Sequence, residues 1–411
     1  MLKQISLLIL CAAAIVCFAT PVQACTSAVV SGKVTPDGRP LLWKNRDTDF
    51  MQNHIDYVKG EKYNFIAVVN SANAYLKEAW MGTNSSGFAL MNTQSYNLVD
   101  VKGDEERGAA NGRVIYRALE VCATVEDFCH FLDTISKPSD IEANFGVIDA
   151  QGGAAMFEVD YYKYVMYDAN NPKDAPYGYI ARTNFSFAGK VNEGAGYVRY
   201  MEADQVLMKA SATGSITPQF IFNDLSRSFR NRMLDIDLRS GAYNRPQASG
   251  WFVDQDFIPR SSTSCSVVVQ GVKPGEKAEL TTMWTLLGYP PTGIAVPLWV
   301  KDAGKLLPGM VRFGKEYEAA WSLRLADRVF SYKQGMGTGR YLNWERLYSP
   351  EKGAGYMTAI TAAEDEVFRT TKPLLEEWYK KGSLDIQAIP KLYDELESSI
   401  RMIYQSLLES E

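Results

Sequence analysis

An apolar leader in this chain ends directly before Cys25, and the residues that follow predict a β-hairpin. Residues 1–24 begin with a positively charged end, continue through an apolar core and finish in Val22-Gln23-Ala24. Small residues at Val22 and Ala24 are typical of a signal-peptidase site. Cleavage after Ala24 would make Cys25 the first residue of an exported chain. Such a cysteine carries both a thiol and a free α-amine, which can act as a nucleophile and its base.

The predicted hairpin limits which residues can lie beside the new N-terminus. Its turn signal is centred near Asp37, so facing residues should have numbers that sum to about 74. Cys25 would then face a position near residue 49, and Arg46, Asp47 and Asp49 would return to its neighbourhood. The pattern has three parts: a strand over 25–32, a Thr-Pro-Asp-Gly turn over 35–38 and a returning strand over 40–44.

Charge and hydropathy exclude two classes of partner. The formal net charge is −5 and the sequence contains no run of Lys or Arg, so we expect no binding of nucleic acid. No stretch after the leader approaches the roughly 18 apolar residues that cross a bilayer, so we expect no stable membrane insertion. The predicted location is secreted or periplasmic.

Histidine and cysteine usage narrows the chemistry further. His54 and His130 are the two histidines, too few for a histidine-rich zinc site, and we expect neither a metal nor a cofactor. Both histidines are interpreted as outside any catalytic centre, so an enzyme here would need another base. After the leader four cysteines remain, too few for a disulfide framework. Cys122 and Cys129 are predicted to be unpaired core thiols, and Cys265 a core residue of a strand.

The order of elements predicts an α+β fold with antiparallel sheets, because short strands cluster between helical blocks without a βαβ rhythm. Thr124 followed by Asp127 has the spacing of a capping box and predicts a helix start. We expect one domain over 25–411, with a helical C-terminal extension over about 311–411. Other predicted elements include strands over 64–69, 74–81, 144–148, 154–159 and 179–183, and helices over 112–122, 197–210, 218–235, 357–381 and 387–409.

Several motifs resemble the N-terminal-nucleophile hydrolases of the choloylglycine hydrolase and penicillin V acylase group. Cys25-Thr26-Ser27 followed by Lys44-Asn45-Arg46-Asp47-Thr48-Asp49 is similar to the processed cysteine and Arg-x-x-Asp element of that group. The segment over 82–92 is similar to its Asn-x-x-Gly turn and following strand. The hairpin over 144–158 is closest to the acyl-CoA:6-aminopenicillanate acyltransferase-like branch. The resemblance covers roughly residues 25–300.

The resemblance implies a four-layer αββα sandwich, in which two antiparallel sheets lie between helical layers. It also implies roles for particular residues. Cys25 would be the nucleophile, Asn92 an oxyanion-hole donor and Asn184 the second active-site asparagine. Asp47 stands where the group often has asparagine, which leaves open whether Asp47 or Asp49 orients the N-terminal amine. The implied catalytic residues are Cys25, Arg46, Asp49, Asn92, Asn184 and Arg199.

The leading hypothesis is an exported amide hydrolase or acyltransferase whose cysteine forms a thioester with small-molecule N-acyl amides. Trp43, Trp80 and Tyr96 are candidates for an acyl pocket, although aromatic residues on strands usually pack in the core. The main alternative is a lipoprotein with lipid on Cys25, because Val22-Gln23-Ala24-Cys25 approximates a lipobox. A catalytically silent binding domain is the third hypothesis. The exact substrate and a homo-oligomeric state are left open.

Overall fold

The structure is a computed structural model that describes residues 24–100, 108–240, 250–254, 256–330, 341–349 and 355–410. Apart from Ala24, the predicted leader lies outside the described residues. Within those ranges no helix is both long enough and apolar enough to span a membrane.

Two large antiparallel sheets form the centre of the fold. Sheet A has the strand order β10-β1-β2-β14-β15-β16, and sheet B is a meander in the order β3-β4-β5-β6-β7-β8-β9. In chain order the strands are β1 (Thr26–Val30), β2 (Leu41–Asp47), β3 (Asn53–Val58), β4 (Phe65–Asn70), β5 (Met81–Asn84), β6 (Ala89–Gln94), β7 (Ala143–Ile148), β8 (Ala154–Val159), β9 (Tyr164–Asp168), β10 (Tyr179–Arg182), β11 (Arg230–Asn231), β12 (Ile236–Asp237), β13 (Trp251–Val253), β14 (Thr263–Gln270), β15 (Thr282–Leu287), β16 (Val296–Leu298) and β17 (Tyr341–Asn343).

Helices cover the outer faces of both sheets. The first two pack on sheet B, and the later ones lie on the outer side of sheet A. Thr124 caps the second helix in the predicted capping box: its side chain accepts from the Asp127 N–H while the Asp127 carboxylate accepts from the cap. The longer helices are α1 (Asn111–Val121), α2 (Val125–Thr134), α3 (Tyr197–Ala212), α4 (Glu318–Val329), α5 (Tyr356–Lys381) and α6 (Ala388–Glu409).

The two sheets pack face to face, and Gly146 on β7 lets them approach closely. A Cβ at this position would meet Leu42 and Val29 of sheet A and Met91 of β6 at less than 3 Å, so a larger residue would force the layers apart. This packing gives the order helices, sheet, sheet, helices. The predicted α+β class with two antiparallel sheets is therefore confirmed.

Some predicted elements are wrong. The strand predicted over 74–81 is a 3₁₀ turn at Ala74–Leu76 followed by Lys77 in a left-handed conformation (φ 54°), and strand structure begins only at Met81. The helix predicted over 218–235 ends at Ser226, after which the chain forms the short β11–β12 hairpin. The strand β3 was not predicted.

The four described cysteines are all free, as predicted. Cys122 is buried in the core beneath sheet B. Cys129 on α2 is partly exposed, so its prediction as a core thiol is wrong. His54 lies on β3 with its Nδ1 3.1 Å from Ser71 Oγ, and His130 is exposed on α2.

Candidate active site

The β1–β2 hairpin brings a different set of side chains to Cys25 than the predicted register does. Thr26 pairs with Asn45 and Val30 with Leu41, so facing residues sum to 71 rather than about 74. The loop begins early, because Ser31 caps a 3₁₀ turn at Gly32–Val34 and moves the centre of the hairpin toward its first strand. Continued outward, this register places Cys25 opposite Arg46 and Ala24 opposite Asp47.

Strand alternation then puts Lys44 and Arg46 on the face of sheet A that packs on sheet B. Lys44 Nζ donates to Asn92 Oδ1 at 2.9 Å and to the Trp80 carbonyl at 3.1 Å. Arg46 donates to Asn53 Oδ1 and, at 2.8 Å, to Asn70 Oδ1, and its guanidinium lies 4.5 Å from the Trp80 ring centroid. The Cys25 thiol is buried near these cations, with Sγ 3.8 Å from the Asp47 carbonyl oxygen.

Burial changes the titration of both cations. Desolvation lowers the pKa of Lys44 to about 8, against the opposing influence of the Cys25 thiolate. Desolvation likewise lowers the pKa of Arg46 to about 10. Cys265 pairs with Arg46 on the other side of β2, and burial raises the pKa of its thiol to about 11. Cys265 is therefore a neutral core residue next to the site, in agreement with its predicted place on a strand.

Arg199 holds the backbone of Cys25 from the start of α3. Its Nη1 donates to the Cys25 carbonyl oxygen at 2.6 Å and to Thr26 Oγ1 at 2.9 Å. Its Nη2 donates to Asn184 Oδ1 at 3.0 Å, and Nε to Asp256 Oδ1 at 3.0 Å. Because the guanidinium is buried and uses its planar fork on four acceptors, it fixes the position of the chain at Cys25.

The two candidate aspartates lie in opposite environments. Asp49 is exposed beyond the end of β2, so the structure does not bring this predicted residue to the site. Asp47 is buried: its Oδ1 accepts from Thr263 Oγ1 at 2.6 Å and its Oδ2 lies 3.5 Å from Arg260 Nε. Desolvation raises the Asp47 pKa to about 6, although Arg260, Arg199 and the Thr263 hydroxyl oppose the shift.

One oxygen of Asp47 has room for a further donor. Within the described part of the chain Oδ2 accepts no hydrogen bond, and buried carboxylate oxygens are normally satisfied. The extended register sets Asp47 opposite Ala24, the residue before the Ala24–Cys25 peptide bond. Cleavage of that bond would create an α-amine one residue from the position opposite Asp47.

The two predicted asparagines differ in how their amides are used. Asn184 Nδ2 donates to the Gln94 carbonyl at 2.8 Å, while its Oδ1 accepts from Arg199. Asn92 accepts from Lys44 through Oδ1, and its Nδ2 donates to none of the described residues. Asn92 thus keeps an amide donor that no described residue uses, whereas Asn184 braces Arg199 against β6.

The structure therefore joins Arg199 to Cys25 and Asn184, and it places Arg46 and the Lys44–Asn92 pair between the two sheets. It adds residues to which sequence reasoning gave no role: Lys44, Asp256, Arg260 and Thr263. A signal for Lys44 was present, since Lys44-x-x-Asp47 has the same spacing as Arg46-x-x-Asp49 and lies two residues earlier. Asp256, Arg260 and Thr263 arrive from a distant part of the chain and have no such signal. Of the predicted aromatic residues, Trp80 contacts the site, while Trp43 is buried on the other face of sheet A and donates to Ser226 Oγ.

Fold and site together define an αββα protein with a buried cysteine, paired cations and carboxamides between its sheets. The family model of acyl-coenzyme A:6-aminopenicillanic acid acyl-transferase matches residues 34–209 of this chain. The match confirms, over that range, the resemblance to the N-terminal-nucleophile hydrolases and their acyltransferase-like branch. It includes Lys44, Asp47, Asn92, Asn184 and Arg199, and begins after Cys25.

Solved structures with similarity to this chain include a hydrolase, an acylase and an amidase by name. A mutant of conjugated bile acid hydrolase from Clostridium perfringens is 14% identical, with coverage of 68% of this chain and 93% of its own and a TM-score of 0.38. Penicillin V acylase from Agrobacterium tumefaciens is 15% identical, with coverage of 68% and 86% and a TM-score of 0.36. The Caenorhabditis elegans ortholog of N-acylethanolamine-hydrolyzing acid amidase is 16% identical, with coverage of 49% and 88% and a TM-score of 0.32. No curated protein matches the chain.

Proposed function

We propose that this protein is an exported amidase or acylase that uses Cys25, exposed by leader cleavage, as its nucleophile. The observation that carries the proposal is the pairing of a clamped Cys25 with a buried Asp47 oxygen that lacks a donor. An α-amine created at Cys25 would supply that donor. The amine has an ordinary pKa of about 7.7–8.0, so a useful fraction is neutral at pH 7 and can accept the thiol proton.

The reaction follows from these positions. Cys25 Sγ attacks the carbonyl carbon of an N-acyl amide while its proton passes to the α-amine. The oxyanion that forms accepts a hydrogen bond from Asn92 Nδ2, and the buried cations Lys44 and Arg46 favour its negative charge. Collapse breaks the C–N bond, and the leaving amine takes the proton from the α-ammonium. Water, or a second amine, then attacks the thioester carbonyl carbon with the α-amine again as base. Collapse breaks the C–S bond and releases the acid or the new amide, and the α-ammonium returns its proton to the Cys25 sulfur.

The burial of Cys25 favours this proposal over the lipoprotein alternative. Cys25 and Ala24 are 6% and 1% exposed, and the thiol lies between two packed sheets. A diacylglyceryl group on that sulfur would have to leave the core to reach a membrane. Linear N-acyl amides remain the proposed substrates. Hydrolysis and acyl transfer differ only in whether water or an amine attacks the thioester.

Loss of the Cys25 thiol tests the proposal. We expect Cys25→Ala to lower hydrolysis of a panel of phenoxyacyl, fatty-acyl and dipeptide amides by about 10³-fold or more, because the covalent route is lost. Cys129→Ala is the matched control, since it removes a partly exposed thiol on α2 and should leave activity within about twofold of wild type.

Intact mass measured on each variant separates failed processing from failed chemistry. If wild type and Cys25→Ala, both beginning at residue 25, hydrolyse the panel equally well, the proposed function is wrong. A diacylglyceryl adduct on Cys25 would support the lipoprotein instead.

A further inference from the structure

Lys44 is a buried cation that lacks a carboxylate partner in the described part of the chain. Its two hydrogen-bond acceptors, Asn92 Oδ1 and the Trp80 carbonyl, are both neutral. Burying an ammonium group without a counter-charge is costly, and a methionine or leucine would fill the same space at lower cost. Lysine at this position therefore calls for an explanation beyond packing.

We propose that Lys44 is a positioning residue that orients the Asn92 amide and, while it is protonated, supports negative charge at Cys25, so that it sets the alkaline limit of activity. This inference rests on the proposed function, in which Cys25 is the nucleophile and Asn92 binds the oxyanion. It concerns Lys44, the side chain that holds Asn92. The sequence motifs assigned no role to Lys44.

Lysine fixes the direction of the Asn92 carboxamide. An ammonium group can only donate, so the atom that it contacts at 2.9 Å must be the amide oxygen. The Nδ2 group of Asn92 then points away from Lys44, and it donates to none of the described residues. Without the lysine, rotation of the amide by 180° would turn an acceptor toward the developing oxyanion.

The charges that face Lys44 decide the sign of its effect. From the residue before β1 the Cys25 thiolate attracts it, and on β2 Arg46 repels it while Asp47 attracts it. Cys265 on β14 would attract it only as a thiolate, and the pKa of that thiol is raised to about 11. Sheet B contributes neutral acceptors. Because Cys25 is the strongest of the attractive groups, protonated Lys44 and ionised Cys25 favour one another.

A lysine can be titrated here where an arginine could not. Desolvation brings the Lys44 pKa down to about 8. Above that pH the native protein loses the ammonium charge, and the thiolate and the oxyanion lose its support. Activity should therefore fall as pH rises through about 8.

The test compares kcat/KM from pH 5 to pH 11 for wild type, Lys44→Arg and Lys44→Met. We expect Lys44→Met to lose about 10²-fold at pH 7, in line with the loss of one oxyanion-hole component. Lys44→Arg should keep activity within about tenfold of wild type, with its alkaline limb moved upward by more than one pH unit. Lys33→Met is the control, because Lys33 is exposed on the same hairpin and should leave the profile unchanged.

A second readout does not depend on substrate. The rate at which iodoacetamide alkylates Cys25 reports its thiolate, and at pH 7 it should fall about tenfold in Lys44→Met, because the ammonium charge beside the sulfur is lost. An unchanged alkaline limb in Lys44→Arg, or unchanged alkylation in Lys44→Met, would overturn the inference. If wild type is active and Cys25→Ala is inactive, either of these results overturns only the inference about Lys44. If wild type and Cys25→Ala hydrolyse the panel equally well, the proposed function itself has failed.

Discussion

Asp47 and Asp49 lie two residues apart, yet Asp47 is buried and Asp49 is exposed. A buried carboxylate can hold the α-amine of Cys25 in one orientation, whereas an exposed one is screened by water. The difference in burial therefore favours Asp47 for the proposed orienting role. Substitutions of Asp47 and of Asp49 can therefore be compared within one short segment.

Asparagine at each position tests that assignment. We expect Asp47→Asn to lower kcat/KM by about 10²-fold or more, because the isosteric amide keeps contact with Thr263 but loses the charge that holds the amine. Asp49→Asn should stay within about twofold of wild type. The opposite ranking, measured on chains with the same mature mass, would reassign the role to Asp49.

The wild-type pH profile gives a second check on Asp47. Burial raises the pKa of its carboxyl to about 6, so protons bind it as pH falls through that value. The carboxylate is then lost and activity should decline on the acid side, at or below about pH 6, since a nearby α-ammonium would lower the pKa. A profile that stays flat down to pH 4 would contradict this role.

At the residue scale, a sequence motif can name a position directly. Arg199 contacts both Cys25 and Asn184, two of the positions that the motifs name. The choice between the two aspartates was left open because it depended on the hairpin register. That register depends on a 3₁₀ turn capped by Ser31, and no local pattern distinguished it from a turn centred at Asp37.

At the element scale, α5 is fixed to sheet A by a buried ion pair. Glu364 accepts two hydrogen bonds of 2.7 Å from Arg227, one on each oxygen, and a further bond from the Ala295 N–H. Arg227 also donates to the carbonyls of Pro290 and Gly293. Both charged groups are at most 1% exposed, so neither has water as an alternative partner.

Glu364→Gln should destabilise the protein by about 3 kcal/mol, because it leaves the Arg227 charge buried and unpaired. The measurement is urea unfolding followed by circular dichroism. Glu366→Gln is the control on the same helix: its partner Arg369 is exposed, and we expect no measurable change in midpoint. Equal midpoints for both variants would show that the buried pair does not anchor α5.

Elements with strong periodicity or caps were predicted well. The helices α1, α3, α5 and α6 have bounds within two residues of prediction, α2 begins at its predicted cap, and β8 has the same bounds. The strand predicted over 74–81 failed because a left-handed Lys77 breaks it, and tertiary contacts rather than alternation decide the conformation there. The helix predicted from 218 ends early, where Arg227 turns inward to meet Glu364.

At the scale of the whole molecule, the site forms where two sheets meet. Sheet A supplies Cys25 and Lys44, and sheet B supplies Asn92. The α+β class followed from the order of elements. The pairing of β2 with β14 could not be predicted from that order, because β14 lies more than 200 residues later in the chain. This pairing brings Thr263 to Asp47. Only the assembled sheet reveals this pairing, together with the burial that raises the Asp47 pKa.

The most direct test of the whole account is the intact mass of the secreted protein, quenched during turnover of an N-acyl amide and mapped by peptide sequencing. We expect a chain that begins at Cys25 and carries one acyl group on the Cys25 thiol. A chain that retains residues before Cys25 while active, an acyl group on another residue, or lipid on Cys25 would contradict the account.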